Sequence, residues 1–492
     1  MPILVGIDLG TTGCKAVAYD EGGTVLGESH LEYGLITLSS TTIEQDPHAW
    51  WTLTQRAIGL ALDTAGVDKR AVASIAVSSQ GLSFVPLDAQ GRALGHAISW
   101  LDSRATAECE EICARYPADR LFRLTGKRVA PFYVLPKLLW LRKHRPETWR
   151  QMHKVLMGHD YLVYRLCGEQ VTDHSMAGGT LLYDLHKMEW SEALLAAFDI
   201  PRQLFPTLVW SGRAVGKLLP AVAEDLGLAR NVVVSVGGQD QKCAALGAGI
   251  RDGVATVSLG TASAVERLMD RPYTDPQMRI PTFTFVQPAR WVLEGVVGTA
   301  AGSLRWYRDT VAPGQRYSEL DAEAALVPLG SGGVMFYPHL AGADSPYWLS
   351  SARGAFHGLS LASTRGHLTR AVLEGVAYQI RTNLAVTEEV GGPVGKVILF
   401  GGGARSALWR EILGDVLGRP VAWTQTVETA ALGAAMLAGV GCGAFADLAE
   451  ARDRMLPTIT WRQPRSENVA IYTEKYAEYR RVESALLNVS SP

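Results

Sequence analysis

This chain carries no CxxC pair, no long apolar run and no excess of charge of either sign, and each absence closes off a class of protein. Its six cysteines, at positions 14, 109, 113, 167, 243 and 442, are scattered. Only Cys109 and Cys113 lie four apart, on an expected helix without further Cys or His partners, so the spacing predicts free buried thiols rather than a disulfide frame or a zinc site. Lys and Arg total 47 against 49 for Asp and Glu, a net charge near −2 that offers little to a nucleic-acid backbone or a membrane surface. No apolar stretch reaches the roughly 20 residues that a spanning helix needs, and the first residues read as a strand rather than a signal peptide. A cytoplasmic location is the expectation, and the Asn488-Val489-Ser490 sequon is then a chance match. Neither GxGxxG nor GxxxxGK[ST] occurs, which excludes Rossmann and P-loop nucleotide sites.

What is present is the composition of a globular protein, and 492 residues are too many for a single core, so two domains are expected. Leu4–Tyr19, LVGIDLGTTGCKAVAY, sets two apolar runs around Gly10-Thr11-Thr12-Gly13 and reads as a β-hairpin. Glycines at such a turn let backbone N–H groups approach an anion. Thr11, Thr12 and Lys15 can add donors, and Asp8 beside the turn suits Mg²⁺ held through water. An ordinary hairpin with a polar tip is the bland alternative. At residues 256–266, TVSLGTASAVE echoes this pattern around Gly260-Thr261, half the chain away. Such a repeat suggests duplicated domains that face each other, each with a phosphate-binding hairpin.

Between and beyond the hairpins the pattern is that of an α/β chain with mixed sheets. Thr24–Leu38 alternates like one strand, Asp46 and Pro47 open a helix that runs to Ala65, and Lys137–Trp149 reads as one helix. Val232–Val236 is a buried strand leading to GGQDQK, and Cys243–Gly249 a helix of small residues. Arg365–Val390 keeps helical spacing, Lys396–Phe400 is a strand ending in Gly401-Gly402-Gly403-Ala404, and Thr429–Ala438 is a second small-residue helix. A strand, a glycine-rich turn and a helix can pack bare backbone against a ribose or a flat ring.

Three constellations carry chemistry. In GGQDQK, Asp240 follows a strand in a Gly-flanked turn, where a carboxylate can accept a proton from a hydroxyl, although an Asx cap on the next helix is the simpler role. For Lys242 a solvated or packing role is as good as a chemical one. Gln80, Trp100, Asp102 and Arg104 supply an amide, an aromatic face and a charged pair of the kind a sugar or polyol site uses; alternatively, Asp102 and Arg104 only pair with each other. His159-Asp160-Tyr161 and Asp173-His174 have superficial metal spacing, but no third ligand follows and structural hydrogen bonding is favoured.

Over nearly its whole length the chain resembles the FGGY carbohydrate kinases, and within them the xylulokinase-like branch. The resemblance rests on GIDLGTTGCKAVAYD, HDYLVYRLCGE, VTDHSMAGGTLLYDL, GGQDQKCAALGAG, SPYWLSSARGAFHGLSLASTRGHLTRAVLEGVAYQIR and GGGARSALWREILGDVLGRPV taken together. It implies an α/β fold of two ribonuclease-H-like domains, as in actin-like ATPases, with a cleft between them. An N-terminal domain over residues 1–248 would hold the sugar and the first phosphate hairpin, and a C-terminal domain over 249–492 the nucleotide. It implies ATP and Mg²⁺ as cofactors, Asp240 as the general base, and Asp8 and Asp240 flanking the metal. Thr11, Thr12, Lys15, Gly260 and Thr261 would contact the phosphates. Gly302 with Gly402, Gly403 and Ala404 would border the adenosine, and Gln80, Gly81, Trp100, Asp240 and Gln241 would contact the substrate.

The departures fall around the substrate. Typical xylulokinases have Met-His after the first Gln, where this chain has Gly81-Leu82, and Asn after the base, where it has Gln241. The missing side chain at Gly81 would leave room for a bulkier substituent. The expected activity is ATP-dependent phosphorylation of a small sugar or polyol. D-xylulose is the leading acceptor, with another polyol, a tetritol or an aldonate as the alternative. An actin-like ATPase or a silent sugar sensor would be a different class. No nucleic-acid or membrane partner is expected, and pairing with a second copy is left open.

Overall fold

The structure is a computed structural model and describes residues 2–424 and 428–490. Apolar runs build a first six-stranded sheet from β1 (Ile3–Leu9), β2 (Gly13–Tyr19), β3 (Val25–Glu32), β4 (Val72–Ser79), β5 (Ala214–Lys217) and β6 (Val233–Gln239). Its order is β5-β6-β4-β1-β2-β3, with β1, β4 and β6 parallel and the others antiparallel to their neighbours. A second sheet contains β7 (Val254–Ser258), β8 (Ser263–Met269), β9 (Thr282–Thr284), β10 (Trp291–Val297), β11 (Lys396–Phe400) and β12 (Val421–Trp423). Its order is β9-β10-β8-β7-β11-β12, with β7, β11 and β12 parallel. Apart from edge strands β5 and β9, both sheets follow one plan: an antiparallel triplet joined by a hairpin, then two parallel strands. The faint echo of letters between the two hairpins is therefore a repeat of topology, and the architecture is the two-lobed ribonuclease-H-like one.

The helices that matter for the site are α1 (Pro47–Ala65), α2 (Gly158–Cys167), α3 (Asp240–Ala248), α4 (Ala301–Thr310), α5 (Arg365–Gly391) and α6 (Thr429–Gly441). α1 starts as its sequence dictates, with the Asp46 carboxylate accepting the His48 N–H at 2.8 Å and Pro47 in the first turn. α1 and α5 occupy equivalent places in the two lobes, as do α3 and α6, which follow the last parallel strand of each sheet.

α6 belongs by chain order to the second lobe but is buried against the first. A Cβ at Gly6 on β1 would sit 1.9 Å from the Ala431 carbonyl oxygen, and one at Gly433 2.0 Å from that of Cys243. Backbone therefore touches backbone from β1 through α6 to α3, an approach that any side chain at these positions would forbid.

Four expectations need correction. Thr24–Leu38 is not one strand: β3 ends at Glu32 because Tyr33 turns its N–H to the Thr12 carbonyl (2.9 Å) and its hydroxyl to that of Gly10, and a short strand resumes at Ile36–Thr37. Lys137–Trp149 is two helices, Val134–His144 and Pro146–Gln151. Pro146 lacks the N–H to continue, and Arg145 before it leaves the helical region, at φ −133° and ψ 59°. β6 runs on to Gln239 and α3 begins at Asp240, earlier than the small-residue pattern indicated, because the Gln239 side chain caps the Lys242 N–H. The cysteines are all free thiols, but only Cys14 and Cys243 are buried. Among the described residues no helix is long and apolar enough to cross a membrane.

Two glycine-to-alanine variants make opposite predictions. Gly433→Ala forces α3 and α6 apart and loses at least about 1–3 kcal/mol. Gly59→Ala, at an α1 position with open space around it, gains about 0.5–1 kcal/mol. Denaturant unfolding of the two variants beside the parent chain measures both.

Candidate active site

The carboxyl ends of β1, β4 and β6 meet at one edge of the first sheet, where α/β folds bind their ligands. The registers set Asp8 opposite both Lys15 and Ser78, and Gln239 opposite Ser79. The Ser78 hydroxyl donates to Asp8 Oδ1 at 3.0 Å. Asp240 opens α3, and its Oδ1 accepts the Gln241 N–H at 2.7 Å and the Gln239 side-chain amide. Burial pushes the Asp8 carboxyl up to about 6, against the pull of Lys15 and the Ser78 hydrogen bond. Burial and then the charge of Asp8 push Asp240 up to about 7, against the Gln241 N–H and Lys242. Two desolvated carboxylates that feel each other across a sheet edge form a site that attracts a cation or a proton. No three His, Cys, Asp or Glu side chains among the described residues converge into a closed metal centre.

The first hairpin stands over this edge. Thr12 is exposed and Thr11 half-buried, with the Thr11 hydroxyl accepting Trp100 Nε1–H at 2.9 Å and its carbonyl accepting the Gln45 amide at 2.7 Å. Lys15 reaches across to the second lobe, where Nζ lies 2.6 Å from Glu428 Oε2. Both side chains are partly exposed, so the pair holds Lys15 only lightly. Glu428 precedes α6 as Gln239-Asp240 precedes and opens α3. That duplicated position is the signal by which it could have been found in the sequence.

The second hairpin has its tip, Thr261 and Ala262, exposed. The carbonyls of Gly260 and Thr261 accept N–H groups of Ala301 and Gly302 at 2.9 and 3.1 Å, so the start of α4 closes onto its tip. The Gly403 N–H donates to the Leu259 carbonyl at 2.9 Å, which brings the turn after β11 to the same place. Gly260, Thr261, Gly302, Gly402 and Gly403 are thus one cluster. Ala404 is in the hydrophobic core and can face this cluster only through its backbone. Arg305 on α4, not anticipated from sequence, is exposed with Nη2 3.5 Å from the Thr261 hydroxyl.

The expected substrate group divides. Trp100 is 37% exposed and is tied to the hairpin through its indole N–H. Gln241 keeps a buried side-chain oxygen, Oε1, with no hydrogen-bond partner among the described residues. Gln80, by contrast, is 1% exposed, and its amide donates to Gln45 Oε1 at 3.1 Å and to the Tyr33 hydroxyl at 3.5 Å. Gln45 and Tyr33, which no motif marked, thereby tie Gln80 to the hairpin carbonyls. Asp102 and Arg104 are not open to a ligand: Asp102 is fully buried, and Arg104 is held by Asp102 (2.7 Å) and Glu44 (2.8 Å). The room left at Gly81 is also smaller than it reads, since a Cβ there would come within 3.1 Å of Gln239 Cγ.

Lys242 is neither solvated nor spare. It is buried between Glu266 on β8 and Glu294 on β10, which face each other in register. Burial pulls the ammonium down, but the two carboxylates outweigh it and hold Lys242 charged. Burial raises the Glu266 carboxyl, with Lys242 opposing and Glu294 adding to the rise. Removing the cation would leave two facing carboxylates without a counter-charge. Lys242→Met should therefore cost about 3–5 kcal/mol in denaturant unfolding, and adding Glu266→Gln should recover part of it.

Comparison with known proteins agrees with this geometry. Residues 3–247 match the model for the N-terminal domain of the FGGY family of carbohydrate kinases, and residues 255–442 that for its C-terminal domain. The chain is 34% identical to a xylulose kinase of Escherichia coli (strain K12) over 98% of this chain and 99% of the relative. It is 31% identical to one of Bacillus subtilis (strain 168) over 98% and 97%. A xylulose kinase structure from Brucella ovis superimposes with a TM-score of 0.92 at 31% identity, covering 99% of this chain and 100% of that one. With both halves of the chain matched and the duplicated fold in place, the protein belongs to the FGGY family of carbohydrate kinases.

Proposed function

We propose that the chain is a xylulose kinase, which transfers the γ-phosphoryl group of ATP to a hydroxyl of D-xylulose. The observation that carries this reading is Asp240. It is a half-buried carboxylate at the start of α3, desolvated beside Asp8 and next to the unpartnered Gln241 oxygen. In phosphoryl transfer the protein mostly positions groups and neutralises charge. Asp240 accepts the proton of the attacking hydroxyl as the new O–P bond forms, and Gln241 Oε1 accepts a second hydroxyl to orient the sugar. Trp100 covers C–H groups, while Gln80 and Gln45 act behind it by fixing the hairpin.

On this reading Thr11, Thr12, Gly260 and Thr261 face the phosphates from the two lobes. Lys15 passes from Glu428 to phosphate, an exchange eased by the partial exposure of the pair. Gly302, Gly402 and Gly403 border the adenosine. The paired desolvated carboxylates fit a divalent cation, and Asp8 and Asp240 would hold Mg²⁺, which supplies charge neutralisation at the phosphates. A division into a sugar lobe (1–248) and a nucleotide lobe (249–492) falls between the end of α3 and the start of β7.

A panel of ketoses, polyols and aldonates with coupled ADP detection tests the assignment. Turnover led by D-xylulose supports it, turnover led by an aldonate or polyol replaces the acceptor, and ATP hydrolysis indifferent to every acceptor overturns it. Asp240→Asn should fold and lose about 10²–10⁴-fold in kcat. Because its carboxyl is raised from an unfolded value near 3.8, ionising it in the folded state costs stability as pH rises towards 7. The Asn variant should therefore be at least as stable as the parent at pH 8 in a thermal melt. Gln241→Leu should raise the KM for sugar about tenfold, with the KM for ATP unchanged, in the same coupled assay.

A further inference from the structure

β6 carries a one-residue bulge beside the site. Ser235 pairs with Ala76 and Gly238 with Ser78, so Val236 and Gly237 together face Val77 alone. A bulge of this kind bends its strand and re-aims the residues that follow, which here are Gln239 and Asp240. Gly237 has no room for a side chain, since a Cβ would lie 1.9 Å from the Val77 carbonyl oxygen. Breaking the ladder releases backbone N–H groups, and a buried N–H without an acceptor is costly.

Two side chains take these donors up. The Gly237 N–H donates to His159 Nε2 at 3.1 Å, and the Gln239 N–H to Ser175 Oγ at 2.9 Å. Both acceptors are fixed in turn. A backbone N–H can only donate, so His159 Nε2 offers its lone pair and the ring proton sits on Nδ1, 3.0 Å from Asp160 Oδ1. Asp160 also accepts the Met157 N–H at 3.0 Å. Asp173 Oδ2 accepts the Ser175 N–H at 2.8 Å and the Ser211 hydroxyl at 3.0 Å. His159, Asp160, Asp173 and Ser175 are all buried. The two segments whose spacing mimicked a metal site thus converge, from α2 and from the turn after Asp173, on the backbone of residues 237–239.

We propose that His159 and Ser175 are positioning residues that hold the bulged turn so that the Asp240 carboxylate faces the cleft, an inference that rests on Asp240 acting as the base. Neither touches substrate; they act through two backbone N–H groups. Without them β6 relaxes towards a regular register and carries Asp240 away from the hydroxyl, while the hairpins that hold ATP are untouched.

The test is steady-state kinetics with D-xylulose and MgATP on His159→Leu, His159→Gln, Ser175→Ala and Asp240→Asn, with thermal unfolding of each. A displacement of about an ångström costs on the order of 10²-fold, so kcat should fall about 10- to 100-fold in His159→Leu and Ser175→Ala, with both KM values within about twofold of the parent. His159→Gln, whose amide oxygen can replace the Nε2 acceptor, should recover most of the loss. Unchanged kcat in a folded His159→Leu or Ser175→Ala, KM rising in step with the loss of kcat, or a Gln variant as damaged as the Leu variant overturns the proposal. If His159→Leu does not fold, Ser175→Ala decides by the same criteria. An active Asp240→Asn overturns the base assignment and this inference with it. An inactive Asp240→Asn beside parent-like kcat in the other variants overturns the positioning role alone.

Discussion

The structure depends on one close approach, the packing of α6 against β1 on one side and α3 on the other. Side chains are absent at Gly6 and Gly433, and carbonyl oxygens of Ala431 and Cys243 occupy the space they would fill. Through this contact a helix that follows the last strand of the second sheet becomes part of the core of the first lobe. α3, which begins with Asp240, and α6, which Glu428 precedes, are locked side by side. The two ends of the cleft floor therefore have a common rigid base, and the hairpins above them are referred to the same frame.

Charge is distributed over that frame according to depth. Lys242, between Glu266 and Glu294, is buried and joins α3 to the second sheet; taking it apart exposes two carboxylates to a medium that cannot solvate them. Lys15 and Glu428 bridge the same two lobes where water reaches, and there the link is weak. Strong coupling at the base and loose coupling at the rim mean that a competing anion would displace the rim contact without disturbing the base.

Most of the fold was legible in the sequence because its signals are local. Two Gly-Thr turns between apolar runs, Asp46-Pro47 at a helix start and strand-to-glycine transitions each depend on a few neighbouring residues. What was legible of the candidate site is placement: Asp8 and Asp240 were expected at strand ends and the two Gly-Thr turns between paired strands, and they stand there. The site was misread where the outcome depends on which distant group is nearby. Asp102 and Arg104 have the composition of a sugar site, yet Glu44 completes a closed ion network around them. For Lys242 a solvated and a packing role stand equally open until two strands from the other lobe supply its carboxylates. Gln45, Tyr33 and Glu428 carry no motif, since each matters only through a partner far away in the chain.

The repeat also has a break in it. Strand, hairpin, crossover and small-residue helix recur in both lobes, but Ser258 stands where the first lobe has Asp8, and Glu428 is bound to Lys15 where Asp240 is left facing Asp8. Two identical halves would present a phosphate chain with the same surroundings from either side and no preferred sense of travel. With unpaired carboxylates on one side only, the duplicated scaffold has acquired a handedness: its two faces differ in charge, although both were drawn to the same plan.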